Sequence, residues 1–156
     1  MLAPAHRPTP DIRLRPATSG DLDALVALET RLFTYDQMSR RSFRRLIGAR
    51  SASLLVAEHG GAFAGYVLVL FRPRSAVARL YSIAVAKPGR GIGPALLAAA
   101  ENAARRRRCR LLRLEVHERN AAAISRYRKS GYVLSGRRLA YYTDRGNALR
   151  FEKQLG

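Results

Sequence analysis

Several residue types are scarce in this sequence, and each scarcity excludes a class of protein. Cys109 is the only cysteine among 156 residues, so no disulfide can form within the chain. No apolar run reaches the ~18 residues that a helix needs to span a bilayer. The opening stretch, MLAPAHRPTP, lacks the apolar segment of a secretory signal peptide. These absences predict a cytoplasmic protein with no membrane attachment.

Acidic residues are also scarce. The chain has 11 Asp and Glu against 29 Lys and Arg, which gives a formal net charge of +18. A positive field of this size favours anionic partners, although an excess of arginine and alanine is also typical of GC-rich genomes. The densest basic run, residues 105–110, coincides with a predicted helix end, where the helix dipole favours cations. The charge therefore permits nucleic acid as a partner but does not favour it.

The remaining composition is that of one globular domain. Hydrophobic residues make up 47% of the chain, and a chain of this length buries a substantial core. Residues 1–10 are predicted to be a disordered tail, and residues 11–156 a single domain. Apolar spacing predicts strands over residues 12–14, 53–58, 62–71, 77–86, 111–117, 132–134 and 149–153, and helices over residues 18–29, 42–49, 94–107 and 120–129. This order predicts a mixed α/β fold: a mainly antiparallel sheet at first, then a β-α-β crossover.

The crossover contains a glycine loop, KPGRGIGPALL, at residues 87–97. Between strand and helix lie Gly89-Arg90-Gly91-Ile92-Gly93, where the free N–H groups and the dipole of a helix N-terminus bind phosphate readily. The loop matches neither GxxxxGK[ST] nor GxGxxG, because Pro94 stands where the second pattern needs glycine. Taken alone, the loop fits either a phosphate cradle or a plain turn, with Pro94 at the first helical position.

The second half of the chain carries three polar side chains at suggestive spacing. Glu115 lies on a predicted strand and points away from Leu114 and Val116. Asn120 caps the next helix, and Tyr127 follows seven residues later, which is two helical turns and the same face. A carboxylate, an amide and a phenol are therefore predicted to converge near one cleft.

These segments resemble the GNAT acyltransferase superfamily, whose members transfer acetyl from acetyl-CoA to amines. Residues 80–97 resemble its CoA pyrophosphate segment, and residues 120–132 resemble the second half of its fold. The separation of twelve residues between Glu115 and Tyr127 is most similar to bacterial N-terminal alanine acetyltransferases of ribosomal proteins. The resemblance covers about residues 12–153 and implies the GNAT fold, with acetyl-CoA as cosubstrate and no metal.

The glycine loop departs from the family pattern in two ways. It is about two residues shorter between Val85 and Gly91, and Pro88 stands where the family usually has Gln or Arg. Most of the loop's donors are backbone N–H groups, and these are retained, so the resemblance still implies that acetyl-CoA binds here. The implied contacts are Ile83, Ala84, Val85, Gly89, Arg90, Gly91, Ile92, Gly93, Ala95 and Asn120.

The resemblance also implies a mechanism of direct transfer. Glu115 would act as general base, through water, on the acceptor ammonium, and Tyr127 as general acid to the CoA sulfur. The N–H groups of residues 83–85 would hold the pantetheine and polarise the carbonyl, and Asn120 would bind the amide arm. Tyr127 also has a structural interpretation, as an aromatic residue of the core.

Other side chains offer alternative interpretations. Glu115 can instead form a surface ion pair with Arg113 or Arg119. His117 lies on the same strand face as Glu115, so it is either a second base or a surface histidine. Cys109 lacks the partner pattern of a nucleophile. No cluster of His and Cys suggests a metal site.

The acceptor is predicted from the character of two loops. Phe33 and Tyr35 lie in one loop and Tyr141 and Tyr142 in another, and together they would frame the acceptor site. Arg138 with this tyrosine pair resembles the ribosomal-protein enzymes. A protein N-terminal or lysine amine is the favoured acceptor. The alternatives are a small amine, or a non-catalytic GNAT-like module that binds anionic partners; either a monomer or a homodimer fits the sequence.

Overall fold

The fold follows from alternating apolar side chains in the strands and one-sided apolar stripes in the helices. The computed structural model describes residues 11–156, and the predicted tail at residues 1–10 lies outside them. The strands are β1 (Ile12–Pro16), β2 (Ala52–His59), β3 (Ala62–Phe71), β4 (Val77–Val85), β5 (Leu111–His117), β6 (Val133–Arg138) and β7 (Ala148–Gln154). The helices are α1 (Leu22–Leu32), α2 (Arg40–Leu46), α3 (Ile92–Arg106) and α4 (Ala121–Lys129), and a 3-10 turn, Ser19–Asp21, precedes α1.

A single sheet of seven strands has the order β1-β2-β3-β4-β5-β7-β6. Every neighbouring pair is antiparallel except β4 and β5, which run parallel and are joined by α3. This arrangement confirms the predicted mixed α/β fold, with its antiparallel first half and its β-α-β crossover at the glycine loop.

The parallel strands β4 and β5 pair over only part of their length. Their register runs from Val77 opposite Leu111 to Leu80 opposite Leu114, and no pairing continues beyond. At the same point the register of β4 against β3 shifts, so that Tyr81 is an extra residue in β4. A β-bulge of this kind bends its strand. The second half of β4 therefore leaves β5 and opens a gap in the sheet.

Two hydrophobic clusters hold the sheet, one on each face. On one face α3 buries Leu96 and Ala100 against a cluster that extends to Leu114 of β5. On the other face Leu25 of α1 and Phe43 of α2 pack on β2, β3 and β4, and this cluster contains no buried residue of β5, β6 or β7. The helices α1 and α2 thus cover only part of their face and leave the sheet open next to β4.

A buried carboxylate fixes the end of α1. Glu29 is 3% exposed and accepts hydrogen bonds from the Tyr66 hydroxyl and from the Met38 N–H, the latter at 2.7 Å. The Tyr66 hydroxyl also lies 2.8 Å from Ser82 Oγ. Buried polar groups need such partners, and these connect α1, the loop that follows it and the bulged region of β4.

The start of α3 differs from the prediction. The helix begins at Ile92 and not at Pro94, because Gly91 adopts a left-handed φ of 78° as N-cap and Ile92 is buried at 2% exposure. Pro94 is therefore the third helical residue and not the first. The N–H of that position has no acceptor within a helix, so proline costs no hydrogen bond there.

Several other elements also differ in their bounds, among them α2 and β6. The second helix, predicted over residues 42–49, runs from Arg40 to Leu46, because the Ser39 hydroxyl accepts the N–H of Ser42 and caps it earlier. The strand β6, predicted over residues 132–134, continues to Arg138. It is an edge strand with mostly exposed side chains, so its apolar alternation is weak.

Gly65 is a tight point of contact between β3, β4 and α3. A Cβ atom at this position would lie 2.4 Å from the Ala84 carbonyl oxygen and 3.2 Å from Leu96 Cδ1. We expect Gly65→Ala to lower the free energy of unfolding by about 1–3 kcal/mol, the usual cost of overpacking, measured by urea denaturation. Gly20→Ala is the control, because its nearest atom would be 3.6 Å away. Equal stability of the two variants would contradict this account.

Candidate active site

The open part of the sheet forms the floor of a cleft of about 720 Å³. Met38 and Leu46 line it from the side of α2, and Tyr81 lines it from the bulge in β4. Glu115 of β5 lies in the floor, and its side chain is 6% exposed. The cleft therefore meets the gap between β4 and β5 beside a buried carboxylate.

Glu115 is paired with an arginine that sequence analysis did not identify. Arg79 Nε lies 3.2 Å from Glu115 Oε2, although Arg79 Nε makes no hydrogen bond within the described residues. The predicted alternative partners, Arg113 and Arg119, are not those of Glu115, since Arg113 donates to Glu152 at 2.8 Å. The parallel register places Arg79 beside Arg113, two residues before Glu115 on the same face of β5. The sequence alone does not reveal this register, so it could not predict the pair.

Two tyrosines of the second predicted acceptor loop, Tyr141 and Tyr142, lie near Arg79 and Glu115. The Tyr141 hydroxyl accepts a hydrogen bond from Arg79, and the rings of Tyr141 and Tyr142 pack edge to face with centroids 4.9 Å apart. The pKa of Tyr142 is raised, mainly by burial and further by the nearby Tyr141 and Glu115. This tyrosine pair is therefore assembled around the carboxylate.

The two predicted acceptor loops meet through one polar contact. Asp36 Oδ2 accepts the N–H of Thr143 at 3.3 Å. In the first loop Tyr35 is 62% exposed, whereas Phe33 is half-buried and packs against the cluster under α1. Tyr35 is therefore free to meet a ligand, while Phe33 has a structural role.

His117 is held by neighbours on both ring nitrogens. Its Nδ1 accepts the N–H of Arg119 at 3.1 Å, and its Nε2 lies 3.0 Å from Asp144 Oδ2. Its ring also stacks on Tyr142 with centroids 5.0 Å apart. These contacts assign His117 to supporting the tyrosine pair and not to the role of a free second base.

The gap in the sheet leaves backbone groups of β4 without strand partners. The N–H of Ala86 donates to Ala64 of β3 at 2.8 Å. Because successive residues of a strand point their N–H groups to opposite edges, those of Ile83 and Val85 face the gap. Ala84 points its N–H toward β3, and its side chain is buried. Of the three predicted strand contacts, two therefore offer donors to the gap.

The glycine loop presents a row of backbone donors next to this gap. Gly89 and Gly91 have left-handed φ values of 81° and 78°, and no described atom lies within 4 Å of a Cβ built at Gly89. The first intrahelical bond of α3 is from Ala95 N–H to Gly91, so the N–H groups of Ile92 and Gly93 have no helical acceptor. Arg90 is exposed beside them. These donors suit an anionic group.

Tyr127 lies on α4, with Asn120 as the N-cap of that helix, on the other side of β5 from Glu115. Asn120 Oδ1 accepts the Ala123 N–H at 3.2 Å, which confirms its predicted role as helix cap. Tyr127 is half-buried against the cluster that contains Leu114, and its ring meets Tyr132 edge to face at 5.7 Å. Burial raises the pKa of Tyr127 above its ordinary 10.0. The side chains of Tyr127 and Glu115 thus lie on opposite sides of β5.

Two kinds of chemistry find no support in residues 11–156. Burial raises the pKa of the Cys109 thiol, which opposes its use as a nucleophile. No group of three His, Cys, Asp or Glu side chains in this range is placed to hold a metal ion. No helix in the same range is long and apolar enough to cross a membrane.

The site thus combines a buried strand carboxylate in a cleft, a partly paired parallel pair of strands and the N-terminus of α3. Residues 22–132 match the family model described as "Acetyltransferase (GNAT) family". The match spans more than half of the 156 residues, so the chain belongs to the GNAT family and is an acetyltransferase. Members of this family take the acetyl group from acetyl-CoA.

Similar proteins include enzymes with different acceptors. The chain is 29% identical over 126 residues to a Bacillus subtilis (strain 168) protein described as a candidate [ribosomal protein bS18]-alanine N-acetyltransferase, covering 81% of this chain and 83% of that protein. The crystal structure of the ribosomal-protein-S18-alanine N-acetyltransferase from Escherichia coli has a TM-score of 0.82 at 25% identity, covering 93% of this chain and 94% of that one. A nourseothricin acetyltransferase structure has a TM-score of 0.76 at 27% identity, covering 93% and 99%.

Proposed function

We propose that the protein transfers the acetyl group of acetyl-CoA to a protein amine, an N-terminal α-amine or a lysine. The observation that carries this proposal is the position of Glu115, buried at 6% side-chain exposure in the floor of a cleft of about 720 Å³. A cleft of this size accepts several residues of an extended chain. The aromatic rings of Tyr141 and Tyr142 near Glu115 suit a peptide backbone, and the names of two relatives given above point to the same class of acceptor.

The residues present fit acetyl-CoA. The outward N–H groups of Ile83 and Val85 would hold the pantetheine arm and polarise the thioester carbonyl. The N–H groups from Gly89 to Gly93, with Arg90, would hold the pyrophosphate at the positive end of α3. Pro94, the next residue, has no N–H to add, but the donors from Gly89 to Gly93 remain. When bound, acetyl-CoA supplies the thioester carbonyl and the thiolate leaving group.

Glu115 would accept a proton from the acceptor ammonium, directly or through one water. The neutral amine nitrogen then bonds to the acetyl carbon while the carbon–sulfur bond breaks, and the nitrogen loses its second proton to solvent to leave the neutral amide. The pair with Arg79 orients the carboxylate until the acceptor arrives. Its position beside Tyr141 and Tyr142 would direct the amine toward the gap between β4 and β5.

Tyr127 would give its proton to the departing thiolate and recover one from solvent. The raised pKa of Tyr127 supports this role, because the phenol stays protonated across neutral pH and is available as an acid. Tyr127 lies on the far side of β5 from Glu115. Base and acid would therefore act from the two sides of the gap, on opposite ends of the reacting group.

A small polycationic amine is the less favoured acceptor. Binding of several ammonium groups requires several carboxylates, and Glu115 is the only carboxylate among the described residues that line the cleft. The other alternative, a non-catalytic GNAT-like module that binds anionic partners, is also disfavoured, because the chain belongs to an acetyltransferase family and has Glu115 in the cleft.

Replacement of the base is the first test. We expect Glu115→Gln to lower kcat/KM for an alanine-terminated peptide by about 10²-fold to 10⁴-fold, while acetyl-CoA still binds by calorimetry. Glu58→Gln is the matched control, since Glu58 is also a strand carboxylate paired with an arginine, Arg15, but lies on β2, outside the lining of the cleft. Activity of Glu115→Gln close to that of the control would remove Glu115 from this role.

Replacement of the acid is the second test. Tyr127→Phe removes only a hydroxyl, and we expect kcat to fall by about 10²-fold with little change in stability. Tyr132→Phe is the control: its hydroxyl donates to Glu101 at 3.0 Å, so its loss should lower stability and leave kcat nearly unchanged. If the two variants lose kcat equally, Tyr127 acts only through packing.

Two variants of Asn120 distinguish its role as a helix cap from its proposed role in cofactor binding. Asn120→Asp keeps the oxygen that caps α4 but loses the amide donor, whereas Asn120→Ala loses both. We expect the alanine variant to lose about 1 kcal/mol of unfolding free energy and the aspartate variant to lose little. Both should bind acetyl-CoA more weakly in calorimetric titrations. Wild-type affinity in the aspartate variant would limit Asn120 to its role as a cap.

A further inference from the structure

The acceptor cleft carries positive charge where a site for an ammonium group would be expected to carry negative charge. Among the described residues that line the cleft, Glu115 is the only carboxylate, and the arginines are Arg45, Arg72, Arg79, Arg113 and Arg138. An ammonium group that approaches alone would be repelled by most of these charges. The cleft therefore needs an acceptor that brings its own negative charge.

Three of the arginines are available to such an acceptor. Arg79 is paired with Glu115, and Arg113 with Glu152. Within residues 11–156, Arg45, Arg72 and Arg138 have no carboxylate within 4.0 Å, in contrast to the arginines that form ion pairs. All three are exposed.

These three arginines surround the cleft and do not form one cluster. Arg45 lies on α2, Arg72 follows β3, and Arg138 ends β6. An extended chain that enters with its amine at Glu115 would therefore meet guanidinium groups along its length and on different sides. Guanidinium groups bind carboxylates through strong, often bidentate, hydrogen bonds.

The positive lining continues beyond the cleft. A second hollow, of about 510 Å³, shares Arg72 with the cleft and is also lined by Arg50, Arg74, Arg107 and Arg108, with no Asp or Glu. Arg107 is held there, since its guanidinium lies 4.2 Å from the centroid of the Phe71 ring. An acceptor that leaves the cleft past Arg72 thus meets arginine again.

From this distribution of charge we infer that the acceptor is a protein N-terminus in which acidic residues follow the reacting amine. The inference rests on the proposed function, in which Glu115 receives the proton of that amine. The carboxylates of the next residues would pair with Arg45, Arg72 and Arg138, offset the repulsion of the ammonium group, and lower KM. An acidic peptide explains the cleft better than nucleic acid, because the cleft leads to a general base for an aliphatic amine and nucleic acid carries no such amine.

The test uses three peptides of equal length that all begin with alanine and continue with acidic, neutral or basic residues. We expect kcat/KM at low salt to be about tenfold higher for the acidic than for the neutral peptide, mainly through KM, and lowest for the basic one. The preference should shrink as salt shortens the Debye length from about 30 Å at 0.01 M to about 8 Å at 0.15 M.

Arginine variants link the preference to the cleft. Arg72→Gln and Arg138→Gln should each reduce the ratio of kcat/KM between acidic and neutral peptides several-fold. Arg13→Gln is the control, because Arg13 is exposed on β1 and its loss changes the net charge equally. If Arg13→Gln reduces the ratio as much, general surface charge and not the cleft is responsible, and the inference fails.

The outcomes separate this inference from the proposed function. Equal acetylation of all three peptides, unaffected by Arg72→Gln, would overturn the acidic preference and leave the acetyltransferase proposal intact. Acetyl-CoA binding without acetylation of any peptide would overturn the proposed function and the inference with it. Inhibition by single-stranded oligouridylate that depends on Arg72, without any peptide preference, would assign the arginines to nucleic acid and also overturn the inference.

Discussion

The partial pairing of β4 with β5 is the constraint on which the site depends. Hydrogen bonding between these strands ends at Leu80 and Leu114, and the extra residue Tyr81 turns β4 away from that point. A fully paired sheet would satisfy the N–H groups of Ile83 and Val85 and leave no gap. The interrupted pairing instead keeps these donors available. In the proposed mechanism it also lets Glu115, on one face of the sheet, and Tyr127, on the other, act on the same reacting group.

The site also depends on the fact that α1 and α2 cover only part of one face of the sheet. The helices α1 and α2 bury apolar side chains of β2, β3 and β4 but none of β5 or β7. The uncovered part of this face can therefore carry charged side chains, including Arg79 of β4 with Arg113 and Glu115 of β5, without burying unpaired charge. The same strands present apolar residues such as Leu112 and Leu114 to α3 on the opposite face. One alternating pattern thus serves both the core and the cleft.

Local sequence patterns predicted most helices and strands, but they could not predict contacts between residues that are distant in the chain. The bounds of β3 and β5 match the prediction because strong apolar alternation or runs define them, and Asn120 was predicted as a cap from its residue type. The edge strand β6 was predicted too short because its side chains are exposed. The pair of Arg79 with Glu115 depends on a parallel register 36 residues apart in the chain, which no local pattern reports. Glu115 and Tyr127 lie on opposite faces of the sheet because Glu115 points away from Leu114, whereas Tyr127 packs against the cluster that contains Leu114. That packing is a long-range contact, which local patterns also do not report.

The contact between Asp36 and Thr143 makes the two rim loops one structural unit. The first loop follows α1, whose end is fixed by buried Glu29, and the second joins the exposed strand β6 to β7. A change in either loop therefore displaces the other side of the cleft entrance as well. Acceptor selectivity in this fold should accordingly evolve through paired substitutions in residues 33–39 and 141–147, while the sheet that holds Glu115 stays unchanged.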